Sequence, residues 1–143
     1  NGSPNKNGNT ALLAAVLLKG KEYETLNLTD YTIGAFGQNL PGDGLDAVID
    51  AMRQADTIVI GSPLYWHNIC GSVRNVLDRF YGKVENGSLS TRKLYFVFQG
   101  AAPEKWMLEA GEYTMKRFAA LYGMAYGGMA TNKDEAAKLN KEV

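Results

Sequence analysis

Several things are scarce in this chain of 143 residues, and each scarcity removes a class of function. There is one cysteine, Cys70, which excludes an internal disulfide and any multi-cysteine metal site; no metal site is expected. Net charge is missing: 15 basic and 15 acidic residues cancel. That removes the basic footprint of a nucleic-acid binder. It also argues against an electron carrier that docks on its partners by charge. Long apolar runs are missing too. The longest, Ala11 to Leu18, is far short of the roughly 20 residues that span a bilayer, and no signal-peptide pattern precedes it. No membrane partner is expected, and the expected location is a reducing cytoplasm. Repeats, low-complexity tracts and linkers are absent, so residues 1–143 are expected to form a single domain with one proper core.

What is present alternates between helical and strand patterns. Thr10 to Lys19 reads as a helix stopped by Gly20, and Tyr23 to Leu28 as a short, weak strand. Residues 29–44 are a Gly-rich loop. Leu45, Val48, Ile49, Met52 and Ala55 share one helix face, and Thr57 to Gly61 is a β-branched strand apolar enough for cover on both faces. Ser62 to Asn68 reads as a loop carrying two large aromatics. Val73, Val76, Leu77 and Phe80 mark a helix ending near Gly82, and Leu94 to Phe98 is the strongest strand. A long helix follows Pro103, with Leu108, Gly111, Met115, Phe118, Ala119 and Tyr122 on one side and Gly123 as its stop. Met124 to Met129 reads as a strand and Asp134 to Lys141 as a polar helix. The expected fold is a doubly wound α/β sheet, parallel, with helices on both faces and its ligand outside the carboxyl ends of the strands.

The chain opens Asn1-Gly2-Ser3-Pro4-Asn5-Lys6-Asn7-Gly8-Asn9-Thr10, directly ahead of the first helix. Backbone N–H groups and hydroxyls in such a loop converge near a helix N-terminus, which suits a phosphate. A phosphate loop of this kind should follow a strand, so apolar residues are expected ahead of Asn1 and the first strand of the fold is missing from this sequence. The triphosphate pattern needs a Lys after its second Gly, but Asn9 follows Gly8. The dinucleotide pattern G-x-G-x-x-G is absent as well. A monophosphate held by Ser3, Asn9, Thr10 and backbone N–H groups remains. The plain alternative is a solvated turn capped by Asn9 or Thr10. One cap does not account for ten polar and glycine residues opening a buried helix.

Tyr65 and Trp66 lie after the central strand, on the same sheet edge. They are expected to be exposed there because Pro63 disfavours continuation of the strand. Exposed aromatics beside a phosphate site suit a planar ring. Residues 1–10 and Ala55-Asp-Thr-Ile-Val-Ile-Gly-Ser-Pro-Leu-Tyr-Trp66 resemble the two signature segments of the flavodoxin-like NAD(P)H-dependent FMN reductases, a group that includes quinone- and iron-reducing flavoproteins.

This resemblance implies a flavodoxin-like fold and FMN as cofactor. It implies that Ser3, Asn5, Asn9 and Thr10 hold the phosphate. Pro63, Leu64, Tyr65, Trp66 and His67 would line the ribityl chain and isoalloxazine, with Gly100 and Ala101 at the ring's other edge. A homodimer is also implied, through a partner loop over the flavin. Some relatives carry clustered cysteines after the second strand; Ile33 to Asn39 has none, which excludes an iron–sulfur centre. The expected activity is hydride transfer from NADH or NADPH through FMN to a quinone or another small acceptor. The alternative is a flavodoxin-type electron carrier with no substrate of its own. His67, the one histidine, is a candidate proton donor; a merely polar lining role is the competing reading. Cys70, Trp106 and Met107 are expected to be packing residues.

Overall fold

Strand β3 (Lys93–Gln99) shows how the two faces of the sheet arise. Its apolar run alternates sides. Leu94, Phe96 and Phe98 join one core, and Tyr95 and Val97 the other. The computed structural model describes residues 1–143. In chain order its elements are α1 (Asn9–Leu17), α2 (Leu45–Gln54), β1 (Thr57–Tyr65), β2 (Asn68–Ile69), α3 (Gly71–Arg79), β3, α4 (Lys105–Tyr122), β4 (Ala125–Ala130) and α5 (Lys133–Leu139). The sheet order is β2-β1-β3-β4. β1, β3 and β4 run parallel, and β2 returns antiparallel to β1. The larger core joins β3 to apolar residues of α2, α3 and α4. The smaller one takes Leu13 and Leu17 of α1 and Ala136 of α5. Helices therefore cover both faces, as the β-α alternation predicts.

Two glycines set how closely α4 approaches and where it stops. A Cβ on Gly111 would fall 2.3 Å from the Phe98 ring, so only glycine lets the helix lie directly on β3. Gly123 adopts φ 82°, and Met124 N–H closes the helix on Ala119 O at 2.8 Å.

The structure corrects two of the expected elements. Tyr23 to Leu28 is extended but is not a strand, and a 3-10 turn at Leu28–Asp30 ends it. It has almost no ladder to join. Its backbone bonds run only to the first residue: the Asn1 amine donates to Leu26 O (2.8 Å), and Leu28 N–H donates to Asn1 O (2.9 Å). On the other flank, Gly2 N–H donates to Gly61 O at 2.8 Å. Asn1 and Gly2 thus fill a one-strand gap between residues 22–28 and β1. Behind them the gap continues as a groove of about 1260 Å³, lined by residues such as Ala14, Leu18, Leu26, Val48, Ile58 and Val76. The second correction concerns β1, which does not end at Gly61. It runs through Pro63 to Tyr65, because pairing with β2 begins only at Leu64 and asks no N–H of Pro63 on that flank.

The glycine-rich loop before α2 is clasped by Asp43. Its carboxylate accepts from the N–H groups of Leu45 (3.0 Å) and Gly34 (3.3 Å) and from the mostly buried Arg79 guanidinium. The Arg79 hydrogen bond, chiefly, holds the Asp43 carboxyl below the usual carboxylate range.

Two outcomes are expected. A folded-state value below the unfolded one means that Asp43 stabilises the fold above about pH 4 and stops doing so as pH falls through the folded value. Asp43→Asn should flatten that acid limb in urea denaturation followed from pH 3 to 7. Fusing about six alternating β-branched residues ahead of Asn1 should fill the groove and raise Tm by about 5 °C or more. An unchanged Tm would contradict the groove as a strand slot.

Candidate functional site

The loop of residues 1–8 is pinned against β1 by contacts that leave no room for a side chain at its second position. Gly2 O accepts from Ser72 Oγ at 2.8 Å while its N–H binds Gly61. A Cβ on Gly2 would lie 2.4 Å from Val73 Cγ2 and 2.9 Å from Cys70 Sγ. Ser3 is buried, and its Oγ accepts from Asn5 N–H at 3.2 Å, which leaves the hydroxyl proton free to donate. Asn5 Oδ1 accepts from Asn7 N–H at 3.1 Å. Asn5 therefore braces the loop with its oxygen and has only its amide N–H₂ to offer a ligand.

Helix α1 begins with Gly8 as its N-cap, and no side chain caps it. The alternative of Asn9 or Thr10 as a simple cap is not what forms. The N–H groups of Asn9, Thr10 and Ala11 have no partner in the chain; the first helical bond is Leu12 N–H to Gly8 O at 3.0 Å. Lys6, the loop's own cation, pairs with Asp30 at 2.5 Å. The cradle is therefore made of backbone dipoles and hydroxyls. Thr10 is 1% exposed, with its Oγ1 accepting from Gln99 Nε2 at 3.1 Å. Gln99 was not among the sequence candidates. Its only signal was its place directly after the strongest expected strand.

The second expected loop, Ser62 to Asn68, is instead a hairpin. β1 turns through Trp66 and His67 into β2, both at positive φ (46° and 64°). Bulky residues there cost about 1–3 kcal/mol each, in a turn type that favours Asn-Gly. The strained turn holds Trp66 95% exposed and Tyr65 49% exposed, so the expected exposure occurs although Pro63 does not cause it. The His67 ring lies 5.7 Å from the ring of Trp106, which is half exposed at the start of α4, while Met107 is buried.

Beneath the hairpin, the fully buried Ser62 accepts from Cys70 N–H (3.0 Å) and donates to Pro63 O (2.7 Å), tying β1 to the start of α3. Cys70 is 3% exposed, with its sulfur 3.5 Å from Gly2 O. Pro63 is buried, Leu64 half-buried and Ala101 exposed. A Cβ on Gly100 would lie 3.1 Å from Leu64 Cβ, which places those two residues side by side.

Unpartnered donors at a helix N-terminus, by the carboxyl ends of parallel strands, lie where sheets of the doubly wound α/β class take their ligands. Within that class the chain belongs to the NADPH-dependent FMN reductase family, whose model matches residues 1–137. It is 38% identical over 92 residues to an iron–sulfur flavoprotein of Archaeoglobus fulgidus, a match covering 55% of this chain and 45% of that one. It is 32% identical over 83 residues to an NAD(P)H dehydrogenase (quinone) of Geobacter sulfurreducens, covering 58% and 40%. The chain thus spans about half the length of the curated relatives it matches. In fold it is similar to the Trp repressor binding protein of Bacillus subtilis (TM-score 0.80, 19% identity, 96% and 95% covered). It is also similar to an FMN-dependent NADH-azoreductase of Bacillus anthracis solved with FMN (TM-score 0.65, 15% identity, 96% and 89% covered). One cysteine is no ligand set for a cluster like that in the first relative's name.

The cradle fits a phosphomonoester: three free N–H donors and two buried hydroxyls. If the close contact with β1 shapes it, Gly2→Ala should cost about 1–3 kcal/mol of stability, because Val73 and the Gly61 backbone leave no space for the methyl. Guanidinium denaturation measures this, and an unchanged midpoint would contradict the packing.

Proposed function

We propose that this chain holds FMN at the carboxyl ends of its strands and passes a hydride from NADH or NADPH to a quinone or another small acceptor. One observation carries the reading: the unpartnered N–H groups of Asn9, Thr10 and Ala11 beside the buried hydroxyls of Ser3 and Thr10. That set offers a dianionic phosphate five donors from backbone and hydroxyl groups. When bound, FMN supplies the hydride-accepting and hydride-donating chemistry.

The chain's own residues bind and orient. Ser3, Asn9 and Thr10 anchor the phosphate, with Asn5 bracing them. Leu64 and the bare backbone of Gly100 make a flat apolar floor next to it, with Pro63 buried behind and Ala101 at the rim. Tyr65 and Trp66 present aromatic faces for ring stacking. Their exposure leaves both rings open to a donor and then an acceptor, which is compatible with the missing dinucleotide fingerprint. A second copy of the chain, closing over Trp66 and Trp106, is the dimer this site suits, and a reducing cytoplasm is the compartment it suits.

Steady-state oxidation of NADH and NADPH with a quinone, on protein showing a bound-flavin visible spectrum, tests the reading. Turnover is expected. Bound FMN without turnover would contradict the enzyme and leave the electron carrier. His67 packs on Trp106, so His67→Asn is expected to keep FMN and most of the turnover; a loss of about 100-fold or more with FMN retained would instead make it the proton donor.

A further inference from the structure

We infer that Gln99 is a positioning residue for the flavin phosphate, acting by aiming the Thr10 hydroxyl proton into the anion cradle. The inference rests on the reading of residues 1–10 as the FMN phosphate site. Thr10 cannot choose its own orientation. Its methyl carbon occupies the space over Gly61, where a Cβ would come within 2.8 Å. With the methyl fixed there, Oγ1 is presented to Gln99 Nε2 at 3.1 Å, across 89 residues of sequence. A hydroxyl has one proton and two lone pairs. Gln99 occupies a lone pair by donating, so the proton is left to donate elsewhere, and the unpartnered N–H groups of the same helical turn mark where an acceptor would sit. Gln99 is itself held by the β3 ladder, paired with Pro63.

Glutamine is suited to this because its amide can donate; a carboxylate can only accept. Gln99→Glu would reverse the bond: the Thr10 hydroxyl would donate to the carboxylate and be lost to the phosphate. Position 99 is half-buried and borders a cavity of about 270 Å³ shared with Asn9, so a glutamate there stays hydrated and ionised, a negative charge beside the cradle. Gln99→Leu removes the bond without reversing it.

The test is the dissociation constants of FMN and of riboflavin, which lacks the phosphate, measured by flavin fluorescence for the unaltered chain and both variants. Gln99→Leu should weaken FMN by about tenfold and Gln99→Glu by about 100-fold, with riboflavin unchanged within about twofold. In a Thr10→Val background, Gln99→Leu should add no further loss, because the two act as one unit. Equal losses for FMN and riboflavin would make Gln99 a general structural residue and overturn the inference, as would FMN affinity indifferent to Gln99→Glu. A chain that binds FMN no better than riboflavin before any substitution would overturn the phosphate reading itself. If Gln99→Leu does not fold, Gln99→Met serves the same arm.

Discussion

The site depends on one close contact: the opening loop lies directly against the middle of β1, glycine to glycine. Gly2 N–H meets Gly61 O at 2.8 Å, and neither residue has room for a Cβ. That contact sets the start of α1 beside the sheet and turns the Thr10 methyl onto Gly61, at a helix start whose first N–H groups have no partner in the chain. A packed interior tolerates few such gaps and fewer substitutions in them. Shifting the loop by the width of one methyl group would move every donor of the cradle together.

From that anchor the rest follows by strand register. Parallel pairing of Pro63 with Gln99 brings the ends of β1 and β3 level, so Leu64 and Gly100 lie side by side and Gln99 reaches Thr10. Beyond this level β1 projects alone and folds back as a hairpin, which carries Tyr65 and Trp66 past the sheet edge. The positive φ values at Trp66 and His67 are energetically unfavourable, and the structure retains them where two aromatic side chains are held in solvent.

Much of this was legible in the sequence because the signals were local. The helices at 45–54 and 105–122 follow their apolar periodicity, and Gly123 ends the second as its type predicts. The polar run ahead of α1 pointed to the helix start whose first N–H groups are unpartnered. What the sequence concealed was set by partners far along the chain. Tyr23 to Leu28 has strand composition but bonds to the opening loop only through Asn1. Pro63 normally interrupts a strand, yet here one flank is free at its position, so β1 continues. Gln99 carries no motif; its role exists only because pairing between β1 and β3 brings it to a threonine 89 residues away. Trp106 has the look of a packing residue, but it lies at the start of α4, where its partner is His67 at the surface.

The central claim is that the backbone at the start of α1 binds the flavin phosphate. A ¹H–¹⁵N correlation spectrum recorded as FMN is added tests it most directly. The account expects the amide protons of Asn9, Thr10 and Ala11 to move downfield together, as free donors acquiring a charged acceptor do. Those three amides unmoved at saturation with FMN would contradict it.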